Sequence, residues 1–351
     1  MKKFFRKLKI RDYVTAILLV LFLVCLAIGS KISGTLGSMG AAEAWQGESN
    51  MRFSQIACFF PENGTVNKEQ VLAFRATLDT KLLENSMEAD EDTVLYADAY
   101  SAESLMNVSV GKGTSRVNVI GVGGDFFLFH PLYLRSGGYV SEKDLMQDRV
   151  VLDEDVAWML FGSSNVAGMT VTVNGRELVV AGVISRESDF ATKQAYTAGP
   201  GMFMCWDTFH ALTEKGANCY EIVLPDPVAG FGKTLVEENF PAEAASCVEN
   251  SSRYSVKNLM DVAANFGKRS MRNDGVIFPY WENAVRLTED YLALIMVVMA
   301  LLIIFPLVRG IVFVIRTIIR TYRKAKKKIP EEIEKRVEQR KEQQYEKAGA
   351  R

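Results

Sequence analysis

Two long uncharged apolar runs, one near each end, most constrain what this chain can fold into. Residues 14–30 are 17 in a row without a charge and residues 291–308 are 18. Each approaches the ~20 residues that carry a helix across a ~30 Å hydrocarbon core. The second continues past Arg309 to Ile315, and Pro306 within it is a candidate kink. Lys2, Lys3, Arg6, Lys7, Lys9 and Arg11 precede the first run, while Arg316, Arg320, Arg323, Lys324, Lys326, Lys327 and Lys328 follow the second. Basic residues are retained on the cytoplasmic side of a membrane. The expectation is a two-pass plasma-membrane protein with both termini cytoplasmic and residues 31–290 outside. A cleavable signal peptide competes for the first run, because Ala42-Glu43-Ala44 has the small residues of a cleavage site. That tripeptide starts twelve residues beyond Ser30, too far for the usual spacing.

The near-neutral whole, with a net charge of −1, hides an asymmetry. Residues 31–290 hold 21 Lys and Arg against 35 Asp and Glu, so the outer segment carries 21 − 35 = −14. A phosphate-binding surface needs the opposite sign, which argues against a nucleic-acid partner. Four of the five cysteines, Cys58, Cys205, Cys219 and Cys247, fall in this segment and could pair in three ways. Cys58 and Cys219 lie in apolar, strand-like runs, where a free thiol serves as a small core residue, so free thiols are the expectation.

The most legible stretch inside the segment is 147–184. Val150, Val151 and Leu152 read as a strand, Asp153 as the cap of a helix with Val156, Ala157, Leu160 and Phe161 on its apolar stripe, and Gly162 as its stop. Phe161 is expected to be a core anchor. Two β-rich runs then flank Asn174-Gly175, the pair best suited to the positive φ angles of a two-residue hairpin turn. Elsewhere, residues 51–60 read as a strand and 67–87 as a helix with Val71, Phe74, Leu78 and Leu82 on one stripe. Residues 93–127 read as a meander of short strands broken at glycines and 186–201 as a polar loop. Residues 202–206 and 219–225 read as strands; 207–213, 231–239 and 259–270 as helices. The alternation predicts an α+β, mixed-sheet extracytoplasmic domain with a β-rich subdomain, held between two transmembrane helices.

These residues also resemble a known family, the periplasmic core domain of MacB-type ABC transporter permeases, relatives of LolC/LolE and FtsX. The resemblance rests on Val150 to Leu152, Leu160-Phe161-Gly162, the Gly168 to Gly175 hairpin, Val180 to Val183, the upstream VIGVGGDFF at 119–127 and Gly137-Gly138, and extends over roughly 51–286. It implies a basic cytoplasmic N-terminus (1–12), a first membrane helix (13–32), a stalk (33–50), the core domain (51–278), a second stalk (279–290), a second membrane helix (291–315) and a charged helical tail (316–351). That tail begins again at Pro330 with balanced Glu and Lys/Arg at i,i+4 spacing. The resemblance further implies a motion-transmitting subunit served by a separate ABC ATPase and a partner permease chain, in a homo- or heterodimer within membrane lipid. The family has three spans after the outer domain; one follows here. The competing function is a membrane-anchored binding or scaffold module without transport.

No chemistry-bearing motif survives inspection. Ala229 to Thr234 (AGFGKT) ends like a phosphate loop, but Pro227 stands where its first glycine belongs. Gly121-Val122-Gly123-Gly124 lacks the third glycine of a dinucleotide fingerprint, because Phe126 holds that place. His130 and His210 have no metal-ligand spacing, and Ser136 and Ser163 no nucleophile elbow. The acidic run 88–92 reads as a solvated loop with at most weak Ca²⁺ affinity, and the sequons at Asn63, Asn107 and Asn250 are discounted for a bacterial chain. No catalytic, cofactor or metal residue is expected, and the chain is not expected to be an enzyme.

Overall fold

The computed structural model describes residues 9–62, 64–88, 94–111, 113–196, 199, 201–273 and 275–349, with side chains to residue 323 and at Lys326. They divide into two units, Ser30–Leu294 and a second made of Met1–Gly29 with Ile295–Arg351.

The second unit contains most of helix Ile10–Ser33 and the greater part of helix Tyr280–Gly349. Ile10–Ser33 and Tyr280–Arg323 are long and apolar enough to cross a membrane. The one charge inside the second apolar run, Arg309, pairs with Asp12 and donates to Thr15 Oγ1 at 2.6 Å. A partner of this kind makes a cation tolerable within an apolar helix. Pro330 does not start a new helix; it lies within Tyr280–Gly349.

The larger unit is built on a ten-stranded mixed sheet. Its strands are β1 (Phe53–Phe59), β2 (Ala97–Val110), β3 (Gly113–Gly124), β4 (Tyr133–Gly137), β5 (Arg149–Asp153), β6 (Thr170–Val173), β7 (Arg176–Ser185), β8 (Gly201–Cys205), β9 (Cys219–Pro225) and β10 (Ser246–Glu249). The order is β10-β1-β9-β2-β3-β8-β5-β7-β4, with β6 pairing both β2 and β7. The β3/β8 and β5/β7 pairs are parallel and the others antiparallel. A small hairpin, β11 (Arg272–Asn273) with β12 (Val276–Ile277), stands apart.

Successive strand residues face opposite sides, and both sides are covered. Ile56, Cys58, Tyr100 and Val119 join Phe74 and Leu78 of helix Lys68–Glu84, Trp206 and Phe209 of helix Trp206–Thr213, and Val236 of helix Phe231–Asn239. Their neighbours Ala57, Phe59, Ala99 and Ile120 join Ala41, Phe126, Phe129, Trp281 and Val285 on the other face. Helix Lys68–Glu84 begins with a capping box between Asn67 and Gln70 and buries the stripe Val71, Phe74, Leu78 and Leu82. The β6–β7 turn uses Asn174 and Gly175 at φ 46° and 89°, as the hairpin signal requires.

Further expectations need correction. Residues 93–127 do not form a meander. β2 and β3 make one hairpin paired from Ala99↔Gly124 to Val110↔Gly113. Gly121 and Gly123 of β3 are there for ring packing, since a Cβ at either would stand 2.2 Å from the Phe209 or Tyr100 ring. Cys58 is not a free thiol: it faces Cys247 across the β1/β10 ladder and the two are disulfide-bonded, while Cys205 and Cys219 are free and buried. The partner was hidden because β10 has only four residues and no strand signature. The loop 186–201 contains helix Phe190–Ala195, capped by Asp189. Phe161 is only half-buried at the edge of the core, because Gly162 ends the helix in the left-handed conformation just as it reaches the surface. In the stretch 33–50, expected as a stalk, the first apolar helix stops at Ser33 and helix Ala41–Gln46 buries Ala41 and Ala42 in the domain.

Candidate functional site at the root of the last helix

The helix beginning at Tyr280 starts inside the outer domain. Tyr280, Trp281, Ala284, Val285, Leu292 and Ala293 are buried, and so are Glu282, Asn283, Thr288 and Glu289. The apolar positions follow helical spacing, while Glu282 and Glu289, seven residues apart, share a second face. Two carboxylates cannot remain buried without cationic partners.

Arg253, 3% exposed in the turn after β10, answers both. Its Nη1 and Nη2 donate to Glu282 Oε2 and Oε1 at 2.7 and 2.6 Å, and its Nε donates to Glu289 Oε1 at 2.8 Å. Asn250 Oδ1 accepts from Nη1 at 3.1 Å. Arg269, beyond helix Val256–Ala264, joins them, paired with Glu289 and, at 3.2 Å, with Asp290. Burial alone would lower the Arg253 pKa, but the charges and hydrogen bonds of Glu282 and Glu289 outweigh it, so the guanidinium ends above its ordinary value. Such a pair is strongly destabilising to break, whatever its net worth when intact.

An aromatic layer seats the first turn of the helix. The Trp281 ring lies 4.5 Å from that of His130 and 5.6 Å from that of Phe126. His130 is held in turn by Glu221 of β9, with Nε2 2.6 Å from Oε2 and both residues buried. Tyr280 stacks on Tyr196 at 4.3 Å and donates to Glu187 Oε1 at 3.2 Å; Tyr196 also donates to Glu187. Arg186 lies over the Tyr196 ring at 4.1 Å and pairs with Asp153 at 2.8 Å. Asp153 therefore does more than cap its helix. Its oxygens accept from Val156 N at 2.8 Å, from Gly201 N at 2.6 Å and from Arg186. Burial still holds its carboxyl above the usual range, with those donors pulling the other way. A continuous chain of contacts thus runs from β5 through Asp153, Arg186 and Tyr196 to Tyr280. Beside it lies a cleft of about 210 Å³ lined by Glu103, Asp153, Arg186, Phe278 and Asn283, where the Asn283 Oδ1 has no hydrogen-bond partner among the described residues.

The candidate motifs resolve into packing. In AGFGKT, Gly230 takes φ 89° at the start of helix Phe231–Asn239. Gly232 N donates to the buried Asp226, and a Cβ at Gly232 would stand 2.6 Å from Ser54 Oγ. His210 is exposed and donates from Nδ1 to the Lys215 carbonyl. Ser136 donates to the Ser164 carbonyl, and the Ser163 hydroxyl accepts from Asn165 N. Asn250 is buried beside Arg253, whereas Asn63 and, in the acidic run, residues 89–92 lie outside the described residues. Among the described residues no group of three or more His, Cys, Asp or Glu is placed to hold a metal ion. The Arg253–Glu282–Glu289 cluster was missed in the sequence. Two acids seven apart just before a membrane run were the available signal, but nothing local points to Arg253.

Among solved structures, the chain is similar to the periplasmic region of MacB from Actinobacillus actinomycetemcomitans, at 18% identity over 59% of this chain and 92% of that one, with a TM-score of 0.41. It is also similar to the extracellular domain of the noncanonic ABC-type transporter YknZ from Gram-positive bacteria, at 11% identity over 56% and 100%, TM-score 0.37. A domain of a putative permease protein from Porphyromonas gingivalis matches at 13% identity over 53% and 79%, TM-score 0.31. No curated protein matches. The MacB-like periplasmic core domain matches residues 20–230, well over half of the chain, and the protein therefore belongs to the family of the MacB-like periplasmic core domain.

Proposed function

We infer that this chain is a two-span ABC transporter permease-type subunit, with both termini cytoplasmic, that passes motion between a cytoplasmic ATPase and the extracytoplasmic side. The observation that carries the reading is the seating of the last helix. Its first turns belong to the domain core, locked by Arg253 to Glu282 and Glu289, and the same helix continues to Gly349 without interruption. A helix so rooted would carry a push on its far end into the domain core. The basic residues 316–328 suit contact with anionic lipid, and the charged positions beyond them suit an ATPase partner.

The test is purification of the full chain in a mild detergent, followed by assay of ATP hydrolysis. An ABC ATPase that co-elutes, and is lost when residues 329–351 are deleted, supports the reading. Quantitative recovery of the chain with no ATPase favours the membrane-anchored binding module. That second reading draws on the cleft beside Asp153 and Asn283, which has room and polar groups for a small ligand.

A further inference from the structure

The outer domain carries a basic, apolar surface beside the point where its last helix enters the apolar run. Helix Val256–Ala264 buries Leu259 and Val262 against the domain and turns Val256 and Met260, one turn apart, to the outside at 68% and 60% exposure. The following turn exposes Phe266 at 57%, and Met271 is exposed beyond it. Exposed apolar side chains in such a row mark a surface that meets something.

Charge narrows what it meets. Residues 251–273 contain Arg253, Lys257, Lys268, Arg269 and Arg272 against the single acid Asp261, which gives 5 − 1 = +4 inside a segment of −14. Arg253 and Arg269 are committed to Glu282, Glu289 and Asp290, and Arg272 pairs at the surface with Glu62. Lys257 and Lys268 remain exposed beside Met260 and Phe266. A strip of this composition, apolar side chains flanked by lysines, is the pattern of a helix lying in a membrane interface.

Position completes the argument. Arg253 at one end of the strip and Arg269 at the other both grip Glu289, and Arg269 also grips Asp290. Asp290 is the last charge before the 18-residue apolar run. The strip is therefore fastened at the level where the helix passes from polar to hydrocarbon surroundings. On another side of the same helix the exposed Phe190 ring lies 5.6 Å from Tyr291, an aromatic pair at the same level.

We propose that helix Val256–Ala264 and the Phe266 turn rest on the anionic outer surface of the bilayer, with Met260 and Phe266 in the headgroup layer and Lys257 and Lys268 on lipid phosphates. The outer domain then sits directly on the membrane. This rests on the reading of Tyr280–Arg323 as a membrane span, so the experiment tests that separately.

The full chain, with Cys25→Ala, is labelled with an environment-sensitive nitrobenzoxadiazole dye at Met260→Cys, Phe266→Cys, Leu105→Cys or Leu301→Cys. It is placed one copy per nanodisc of phosphatidylcholine with a quarter phosphatidylglycerol. Leu105 is an exposed position on β2 and Leu301 lies in the apolar run. The expected result is bright, blue-shifted emission at 260 and 266, several-fold above that at 105, falling in pure phosphatidylcholine and on Lys257→Gln/Lys268→Gln substitution. Dye at 301 should report hydrocarbon in both lipids. Emission at 260 and 266 equal to that at 105, with 301 still buried in lipid, overturns the proposal while leaving the span intact. Equal emission in the two lipids overturns the phosphate contacts. A water-exposed signal at 301 removes the membrane reading on which the proposal stands. Dye emission at 260 or 266 that rises only when a second copy shares the disc assigns the strip to self-association and overturns the lipid surface.

Discussion

Replacing Arg253 by Met tests the seating of the last helix most directly. The substitution keeps the side-chain volume and removes the hydrogen-bonded cation of Glu282, which among the described residues keeps Arg286 at 3.8 Å, and one of the two cations on Glu289, where Arg269 remains. Two nearly inaccessible carboxylates are left, each with one remaining arginine, and that of Glu282 stands 3.8 Å away. Breaking a buried pair by removing one partner costs about 3–5 kcal/mol. For a domain of this size each kcal/mol lowers Tm by about 2–4 °C, so the midpoint should fall by roughly 6–20 °C. A triple variant, Arg253→Met with Glu282→Gln and Glu289→Gln, removes the stranded charges and should recover most of the loss, because an uncharged replacement of a buried ion cluster is often neutral. The assay is thermal unfolding of the full chain in detergent, followed by near-UV circular dichroism, with Trp281 as a reporter at the root. An unchanged midpoint in Arg253→Met would refute the reasoning, as would a triple variant no better than the single one. The first result would mean that the acids reach water, the second that the arginine matters only as volume.

Four further outcomes are expected. Gly121→Ala should destabilise by at least the 1–3 kcal/mol of an overpacked core, since its Cβ would strike the Phe209 ring, whereas Gly138→Ala, with nothing within 4 Å, should leave unfolding by urea unchanged. Reduction of Cys58–Cys247, or the double serine variant, should lower stability by up to about 5 kcal/mol in the loop-entropy limit for a separation of 189 residues, read from unfolding with and without dithiothreitol. Burial pushes the Cys205 thiol up to about 11, so Ellman's reagent at pH 7.5 should leave it unreacted until urea exposes it. Burial also raises the Asp98 carboxyl, against the pull of Arg75 and Tyr220. The folded state then holds this proton more tightly than the unfolded one, whose value is about 3.9. The contribution is present below that value and lost as pH rises through the folded one. Asp98→Asn should therefore look most destabilised in acid and least so at neutral pH, and a deficit that grows with pH would contradict the assignment.

The local elements were readable because short-range chemistry decides them. Asp153 and Gly162 bound their helix, Asn174-Gly175 makes its hairpin turn, and the stripe from Val71 to Leu82 lies against the sheet as its period requires. What was not readable is long-range. The length of the β2–β3 hairpin depends on rings from Tyr100 and Phe209 filling the space over Gly123 and Gly121, so glycines that look like strand breaks are strand positions. The Cys58–Cys247 pair and the Arg253 cluster each join residues whose own neighbourhoods say nothing of the partner. The second stalk was expected from the family; in the molecule, residues 280–293 are largely enclosed, because their apolar face completes a sheet rather than bridging a gap.

Since Phe278 to Val285 supply part of the cover over one face of the sheet, the order of synthesis acquires a meaning. Every strand from β1 to β10 leaves the ribosome before that cover exists. At about 5–20 residues per second, the interval from residue 51 to residue 285 is roughly 12–47 s. During it, Phe59, Ile120 and Phe126 have no partner from the last helix, and their part of the sheet's face lacks its cover. Closure comes only once residues 278–285 have been made, so the outer fold is completed last, by the stretch that leads into the second apolar helix. A chain truncated before residue 280 should therefore be degraded faster than the full chain, because that face of the sheet stays open.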